Sequence, residues 1–97
     1  MIVEENTMLD LNGVQIVHQF RNGYGASVVQ HDMSYGGKQG LWELAVLKNG
    51  ELCYNTSVTS DVLGHLSDED VEFHLKEIEN LWVIFIWTKI NYHRQIC

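Results

Sequence analysis

The fold is decided by residues 11–30, LNGVQIVHQFRNGYGASVVQ, where two Asn-Gly dipeptides separate alternating runs of apolar and polar residues. Asn and Gly both tolerate a positive φ, so this dipeptide favours the type I′ turn of a two-residue β-hairpin. A third Asn-Gly, at 49–50, stands between two further segments with strand character, 42–47 and 52–58. Three such turns predict a meander of antiparallel strands within residues 8–58.

Two-residue turns fix which side chains share a face of the sheet. They pair Leu11 with Val14 and Ile16 with Val29, and they pair Leu47 with Leu52 in the third hairpin. Alternation along the strands then predicts one core face made of Leu9, Leu11, Val14, Ile16, His18, Phe20, Ser27, Val29 and His31. The opposite face carries Val17, Tyr24, Ala26 and Val28 among polar residues. The third hairpin is apolar on both faces, which predicts cover on both sides.

One helix is predicted over about 68–81. Ser67 followed by Asp70 approximates a capping box, and the acidic residues after Ser67 favour the positive end of the helix dipole. A core stripe follows at helical spacing, made of Val71, Leu75, Ile78 and Trp82. Residues 61–66 are expected to form a shorter turn.

These elements predict a single domain over residues 1–97, because a chain of this length holds one hydrophobic core. The predicted fold is α+β, an antiparallel four- or five-stranded β-meander with one principal C-terminal helix on one face. The segment 82–97 begins with WVIFIW, which is aromatic and β-branched. A strand, a helix extension and an interface all remain open for it.

The charge balance restricts the classes of partner. Six Lys and Arg against thirteen Asp and Glu give a net charge of -7, which repels nucleic-acid phosphates and anionic membranes. The first residues, MIVEENTMLDL, lack the basic start and apolar stretch of a secretory signal, and the longest apolar run, 81–87, is far shorter than the roughly 20 residues of a membrane helix. We therefore expect a cytoplasmic protein whose partner is a protein, with no direct nucleic-acid or membrane contact.

The sequence contains no pattern typical of a catalytic, cofactor or metal site. None of the five histidines is spaced to aim two imidazoles at one ion, and His18 and His31 would lie about 13 Å apart. The loop Gly36–Gly40 contains Gly-Lys but lacks the Ser or Thr that follows in a phosphate-binding loop. We expect no metal, no cofactor and no enzyme activity.

Two alternatives to a protein-binding function remain open. One is a small ligand-binding domain or enzyme with a site near the glycine loop, formed by His31, Tyr35 and Cys53. The other is a structural subunit that associates with itself, for example as a homodimer, through the apolar sheet face or the C-terminal segment.

The predicted helix is the candidate partner-binding surface. It carries six carboxylates between residues 68 and 79 against Lys76 alone, and Phe73 points away from the core stripe. An aromatic side chain among carboxylates is a candidate anchor for a basic partner surface. The predicted contact residues are Glu69, Asp70, Glu72, Phe73 and Glu77, with Tyr35 and Lys38 of the glycine loop as a second set. A purely solvated acidic helix is the alternative.

Four blocks of sequence carry a family resemblance: NGYGASVV at 22–29, SYGG at 34–37, GLWELAVL at 40–47 and DVLGHLSDEDV at 61–71. In this order they resemble a group of small uncharacterised proteins of tailed bacteriophages and prophages, over about residues 18–81. The resemblance implies a phage-encoded protein acting in the cytoplasm of a bacterial host, and it brings no catalytic residues. We therefore expect a non-enzymatic phage accessory protein that binds a host or phage protein, such as a host defence or nucleic-acid-processing protein that it would inhibit.

Overall fold

The computed structural model describes residues 1–81, which form a six-stranded antiparallel sheet with one α-helix on one face. The elements are β1 (Ile2–Met8), β2 (Gly13–Gln19), β3 (Tyr24–Gln30), β4 (Trp42–Lys48), β5 (Glu51–Leu52), β6 (Leu63–Leu66) and α1 (Asp68–Glu79), with 3₁₀ turns at Leu9–Leu11 and Gly37–Gln39. The predicted α+β meander with a C-terminal helix is confirmed. The segment 82–97, including Trp82 of the predicted stripe, lies outside the described residues.

The strands follow the order β1-β2-β3-β4-β5, and β6 also pairs with β4. One side of β4 is therefore occupied by β3, and the other by β5 and β6 in succession. The strands extend beyond the predicted range 8–58, because β1 precedes it and β6 replaces the turn expected at 61–66. β6 has only four residues and an irregular register against β4, so its alternation is too short to identify in the sequence.

The turn at Asn49-Gly50 agrees with the prediction. Both residues have a positive φ, 53° for Asn49 and 85° for Gly50, as a type I′ turn requires. Leu47 pairs with Leu52 as predicted. β5 ends at Leu52, so the paired part of the return strand is shorter than the predicted stretch to residue 58.

The turn at Asn22-Gly23 differs from the prediction. The Phe20 N–H donates to the Tyr24 carbonyl (2.8 Å), the Gly23 N–H donates to the Phe20 carbonyl (3.2 Å), and Gly23 has a φ of 88°. Asn22 does not share this positive φ. These bonds define a three-residue loop, a type I turn followed by a left-handed glycine. The loop shifts the register between β2 and β3 by one residue.

This shift moves the side chains of β3 to the other face of the sheet. Ile16 pairs with Val28 and not with Val29, and His18 pairs with Ala26. The face toward α1 therefore includes Ile16, His18, Ala26, Val28, Leu44 and Val46. Ser27 and Val29, which the prediction assigns to the core face, lie on the opposite face.

The reversal at Asn12-Gly13 is longer than predicted. The 3₁₀ turn Leu9–Leu11 precedes Asn12, whose φ of 55° is left-handed. Leu9 is 85% exposed and does not belong to the core. Gly13 is required by the close approach of β3, because a Cβ at this position would lie 2.0 Å from the Gln30 carbonyl oxygen.

The core lies between α1 and the sheet. Val71, Leu75 and Ile78 are buried against β3 and β4, as the helical stripe predicts. The predicted capping box is also confirmed, since the Asp70 N–H donates to Ser67 Oγ and the Ser67 N–H donates to the Asp70 carboxylate, both at 3.1 Å. Full burial of a side chain such as Ile78 stabilises the fold by about 1.5–3 kcal/mol.

The central strands are buried on both faces. Val29, Ala45 and Leu47 point away from α1 and are nevertheless 9%, 8% and 7% exposed. Toward β1 this second face becomes polar, because Gln15 bridges Asn6 of β1 and Ser27 of β3 through hydrogen bonds of 2.9 Å. The buried apolar area of this face is therefore confined to β3 and β4.

β1 is the outer edge of the described sheet. It pairs with β2 on one side, and no other described strand lies on its second side. Glu4 and Glu5 lie at its centre and are exposed. The edge that this strand presents is therefore acidic.

The Asn22 side chain connects the β2–β3 turn to the end of α1. Its Nδ2 donates to the carbonyls of Ile78 (2.8 Å), Glu79 (3.1 Å) and Leu81 (3.0 Å), and its Oδ1 accepts from the Tyr24 N–H (3.0 Å). The last carbonyls of a helix have no partner within the helix. One side chain therefore supplies donors to the C-terminus of α1 and also fixes the turn.

Replacement of this side chain should destabilise the protein. We expect Asn22→Ala to lower the free energy of unfolding by about 1–3 kcal/mol, because it removes the side-chain donor to the carbonyls of Glu79 and Leu81, whereas the Ile78 carbonyl still accepts from the Leu81 N–H. Urea denaturation followed by circular dichroism measures the change. Asn55→Ala, at an exposed position between β5 and β6, is the matched control and should change the value by less than about 0.5 kcal/mol. Equal losses in the two variants would contradict the role of Asn22.

Candidate functional site

The carboxylates of α1 are exposed and largely without counter-charge. They belong to Asp68, Glu69, Asp70, Glu72, Glu77 and Glu79, with Lys76 as the one basic residue of the helix. Within residues 1–81 the one ion pair joins Glu77 Oε1 to His74 Nδ1 at 2.6 Å, and the histidine contributes a charge only when it is protonated. The negative charge of this helix is therefore not neutralised by the described part of the chain.

The structure places the five residues predicted on the helix at exposed positions of α1. We call this set, made of Glu69, Asp70, Glu72, Phe73 and Glu77, the acidic helix surface. At about 100° per residue, Glu69, Phe73 and Glu77 lie on the outward side of the helix, and Glu72 lies on the flank that faces the sheet. The predicted residues therefore surround the outer half of one helix.

Two members of this surface have structural contacts. The backbone N–H of Ser67 donates to Asp70, and this bond, with the Ser67 hydroxyl contact, holds the pKa of the Asp70 carboxyl below its usual 3.8. Glu77 is paired with His74. Glu69 and Glu72, in contrast, have no hydrogen bond or ion pair with any described residue. These two carboxylates are the ones most available to a partner.

Phe73 is the exposed aromatic residue of the acidic helix surface. Its side chain is 62% exposed, and its ring contacts the His74 ring edge-on, with 5.3 Å between the centroids. Because most of the ring remains in contact with water, Phe73 gains little hydrophobic stabilisation from the described fold. Its position fits an anchor for a partner and is not explained by core packing.

The second predicted set, Tyr35 and Lys38, lies on the glycine loop, which contacts β6 through the Tyr35 carbonyl and the His65 N–H. Both residues are exposed. The loop is held in place, because the Tyr35 N–H donates to Glu43 Oε1 (3.0 Å) and the Tyr35 carbonyl accepts from the His65 N–H (3.1 Å). Gly64 leaves room for this contact, since a Cβ there would lie 2.6 Å from the Tyr35 Cβ.

A small cavity of about 200 Å³ adjoins the glycine loop, and it is lined by Asp32, Ser34, Gly36, Lys38, Gln39 and His65. His31, Tyr35 and Cys53, the residues suggested for a small-ligand site, do not line this cavity. Cys53 is 1% exposed and belongs to the core, where its N–H donates to the Val46 carbonyl (2.8 Å). The structure therefore places Cys53 away from the glycine loop.

A groove that sequence analysis misses lies between α1 and the β1–β2 side of the sheet. Its volume is about 350 Å³. The apolar lining consists of Ile2, Ile16, Val28, Trp42, Val71 and Leu75, and the polar lining of His18, Asp68 and Glu72. We call it the helix–sheet groove. The rim of the groove is indicated in the sequence by Asp68 and Glu72, which lie beside the core stripe of α1. The floor of the groove depends on the β2–β3 register.

His18 is the titratable group on the sheet side of the groove. Burial of the imidazole lowers the pKa of His18 below its usual 6.5, the N-terminal ammonium lowers it further, and the Glu72 carboxylate opposes both. On the helix side, Asp68 Oδ1 accepts a hydrogen bond of 2.8 Å from Trp42 Nε1. The groove thus has an apolar floor, a histidine on one wall and two carboxylates on the other.

We also searched the described residues for metal-binding clusters and membrane-spanning helices, and compared the chain with known proteins. Residues 1–81 contain no group of three or more His, Cys, Asp or Glu placed to hold a metal ion. No helix within this part of the chain is long and apolar enough to span a membrane. Comparisons with protein-family models, curated proteins and solved structures find no match to this chain.

The buried His18 should make stability depend on pH. Because the pKa of His18 is lowered in the folded protein, the unfolded chain takes up a proton first as the pH falls below 6.5. We expect the free energy of unfolding to decrease from about pH 6.5 down to the folded-state pKa, and His18→Gln to remove this part of the decrease. Urea denaturation at about pH 8 and about pH 5.5 measures the difference.

The control for this experiment is His65→Gln, which removes an exposed imidazole from β6. It should retain the pH dependence that arises from His18. A decrease of the same size in wild type and in His18→Gln would show that His18 is not its source.

Proposed function

We propose that this protein is a non-enzymatic accessory protein that binds a basic surface of another protein through the acidic helix surface. The observation that carries the proposal is the exposed Phe73 among carboxylates that have almost no counter-charge in the described residues. A cluster of like charges on one short helix is destabilising unless a partner or solvent neutralises it. A basic partner would neutralise it and cover the phenyl ring at once.

The charges and the aromatic ring would contribute differently to binding. Uncompensated carboxylates accelerate association with a basic surface and suppress binding to acidic ones. Buried aromatic anchors usually supply most of the binding free energy. We therefore assign affinity mainly to Phe73, and association rate and selectivity mainly to Glu69 and Glu72.

We infer the class of partner protein from the negative charge of α1 and from the resemblance to phage proteins. Proteins that bind nucleic acid have basic surfaces that contact phosphates. Carboxylates on α1 would occupy such a surface in place of phosphates and thereby exclude the nucleic acid. We propose a host or phage protein of this kind as the target, with inhibition of a host defence or nucleic-acid-processing protein as the outcome, in the cytoplasm of a bacterial host.

Affinity capture from phage-infected bacteria, followed by mass spectrometry and titration calorimetry, tests this proposal. We expect Phe73→Ala to weaken binding of the captured protein by about 30-fold or more, as loss of an anchor residue does. Glu69→Lys should slow association and reduce its dependence on salt concentration. Phe73→Ala removes the ring contact with His74, and Glu69→Lys removes a carboxylate from the first turn of α1, so circular dichroism and urea denaturation of both variants must show that the helix is retained.

Matched controls lie outside α1, on β5 and in the segment that follows it. Glu51→Lys on β5 makes the same charge change, and Tyr54→Ala removes an aromatic ring that is 45% exposed. Both should bind as wild type does. Binding that is unchanged by Phe73→Ala and Glu69→Lys would contradict the proposed surface.

A further inference from the structure

The helix–sheet groove has the size of a site for one or two side chains. Its volume of about 350 Å³ is at the lower end of the range for small-ligand cavities, which is about 300–1,000 Å³. The floor is apolar, and Ile2 at its rim is 51% exposed. Removing such apolar surface from water favours an occupant with an apolar side chain.

The charge of the rim restricts the occupant further. Glu72 lines the groove and has no hydrogen bond or ion pair with a described residue, and Asp68 uses one oxygen for the Trp42 indole. An uncharged ligand that covered Glu72 would leave a carboxylate unpaired in a poorly solvated place, which is costly. A Lys or Arg beside the apolar side chain would pair with it instead.

We propose that the groove seats one apolar side chain of a basic segment of the partner protein, with the adjacent Lys or Arg paired to Glu72. This inference rests on the proposed function and deepens it, because the groove lies on the flank of the helix that carries the acidic helix surface. A second copy of this chain is disfavoured as the occupant, since a net charge of -7 on each copy opposes association.

Short synthetic peptides test the groove without knowledge of the partner. The probe peptide has the sequence Gly-Ser-Lys-Leu-Lys-Ser-Gly, and two matched peptides replace its Leu by Ala or both Lys by Glu. Binding to the full chain is followed by ¹⁵N-resolved NMR titration. We expect the probe to shift the resonances of Ile16, His18 and Leu75, and both matched peptides to bind at least about tenfold more weakly.

Two pairs of variants distinguish binding in the groove from nonspecific attraction of a basic peptide to the acidic protein. Glu72→Lys should weaken probe binding by about tenfold, whereas Glu69→Lys, the same charge change on the outward side of α1, should change it by less than about twofold. Ile2→Ser alters the exposed rim without disturbing the core, and we expect it to weaken probe binding. Val14 lies on β2 outside the groove and is 38% exposed, so Val14→Ser should leave probe binding unchanged.

The outcomes distinguish this inference from the proposed function. Equal loss in Glu72→Lys and Glu69→Lys, or shifts spread over all acidic residues, would overturn the groove as a specific site. Concentration-dependent changes of the groove resonances without peptide would assign it to a second copy and also overturn the inference. If capture of a partner depends on Phe73 but no peptide binds in the groove, the proposed function stands and this inference fails. If the probe peptide binds in the groove but Phe73→Ala leaves capture unchanged, the groove is supported as a peptide site and the proposed contact surface is contradicted.

Discussion

The packing of α1 on β3 and β4 is the contact on which the rest of the molecule depends. Three apolar side chains, Val71, Leu75 and Ile78, provide it, and hydrogen bonds fix both helix ends through Ser67 and Asn22. A helix is about 10 Å across, so it covers about two strands spaced about 4.8 Å apart. One helix therefore cannot cover a sheet that is five strands wide. The helix–sheet groove is the geometric result on the side of β1 and β2.

The same contact determines which carboxylates are available to a partner. The buried stripe fixes the rotation of α1, and the acidic residues then divide among its flanks. Asp70 contributes to the helix N-terminus and Glu77 to a histidine contact, so their replacement would affect the helix as well as any partner. Glu69 and Glu72 have no such contacts in the described residues. This division separates side chains that maintain the helix from those that define its surface properties.

The parts of the fold that local chemistry determines could be predicted from the sequence. The helix start, its buried stripe and the exposure of Phe73 depend on residues within a few positions of one another. The turn at 49–50 was also predictable, because both of its residues adopt the left-handed conformation. The candidate residues on α1 follow from the same helical periodicity.

The parts that depend on distant contacts could not be predicted. Asn22 bonds to carbonyls more than fifty residues later in the chain, and its turn is a type I turn with a glycine bulge. The resulting one-residue shift brings Ile16 opposite Val28, and this pair forms the floor of the groove. An alternation pattern is equally compatible with either register until the turn is known. The sequence therefore indicates the rim of the groove and not its floor.

The acidic edge strand β1 has a consequence for how this chain behaves in a crowded solution. An open strand edge is a template on which another strand can add, and it is a common origin of fibrillar aggregates. Antiparallel addition of a second β1 would bring Glu4 and Glu5 near their own counterparts across the symmetry axis. Like charges opposed in this way disfavour pairing. Within residues 1–81, the two glutamates therefore disfavour pairing of this edge with a second β1, whereas a lysine-rich strand would meet no such repulsion.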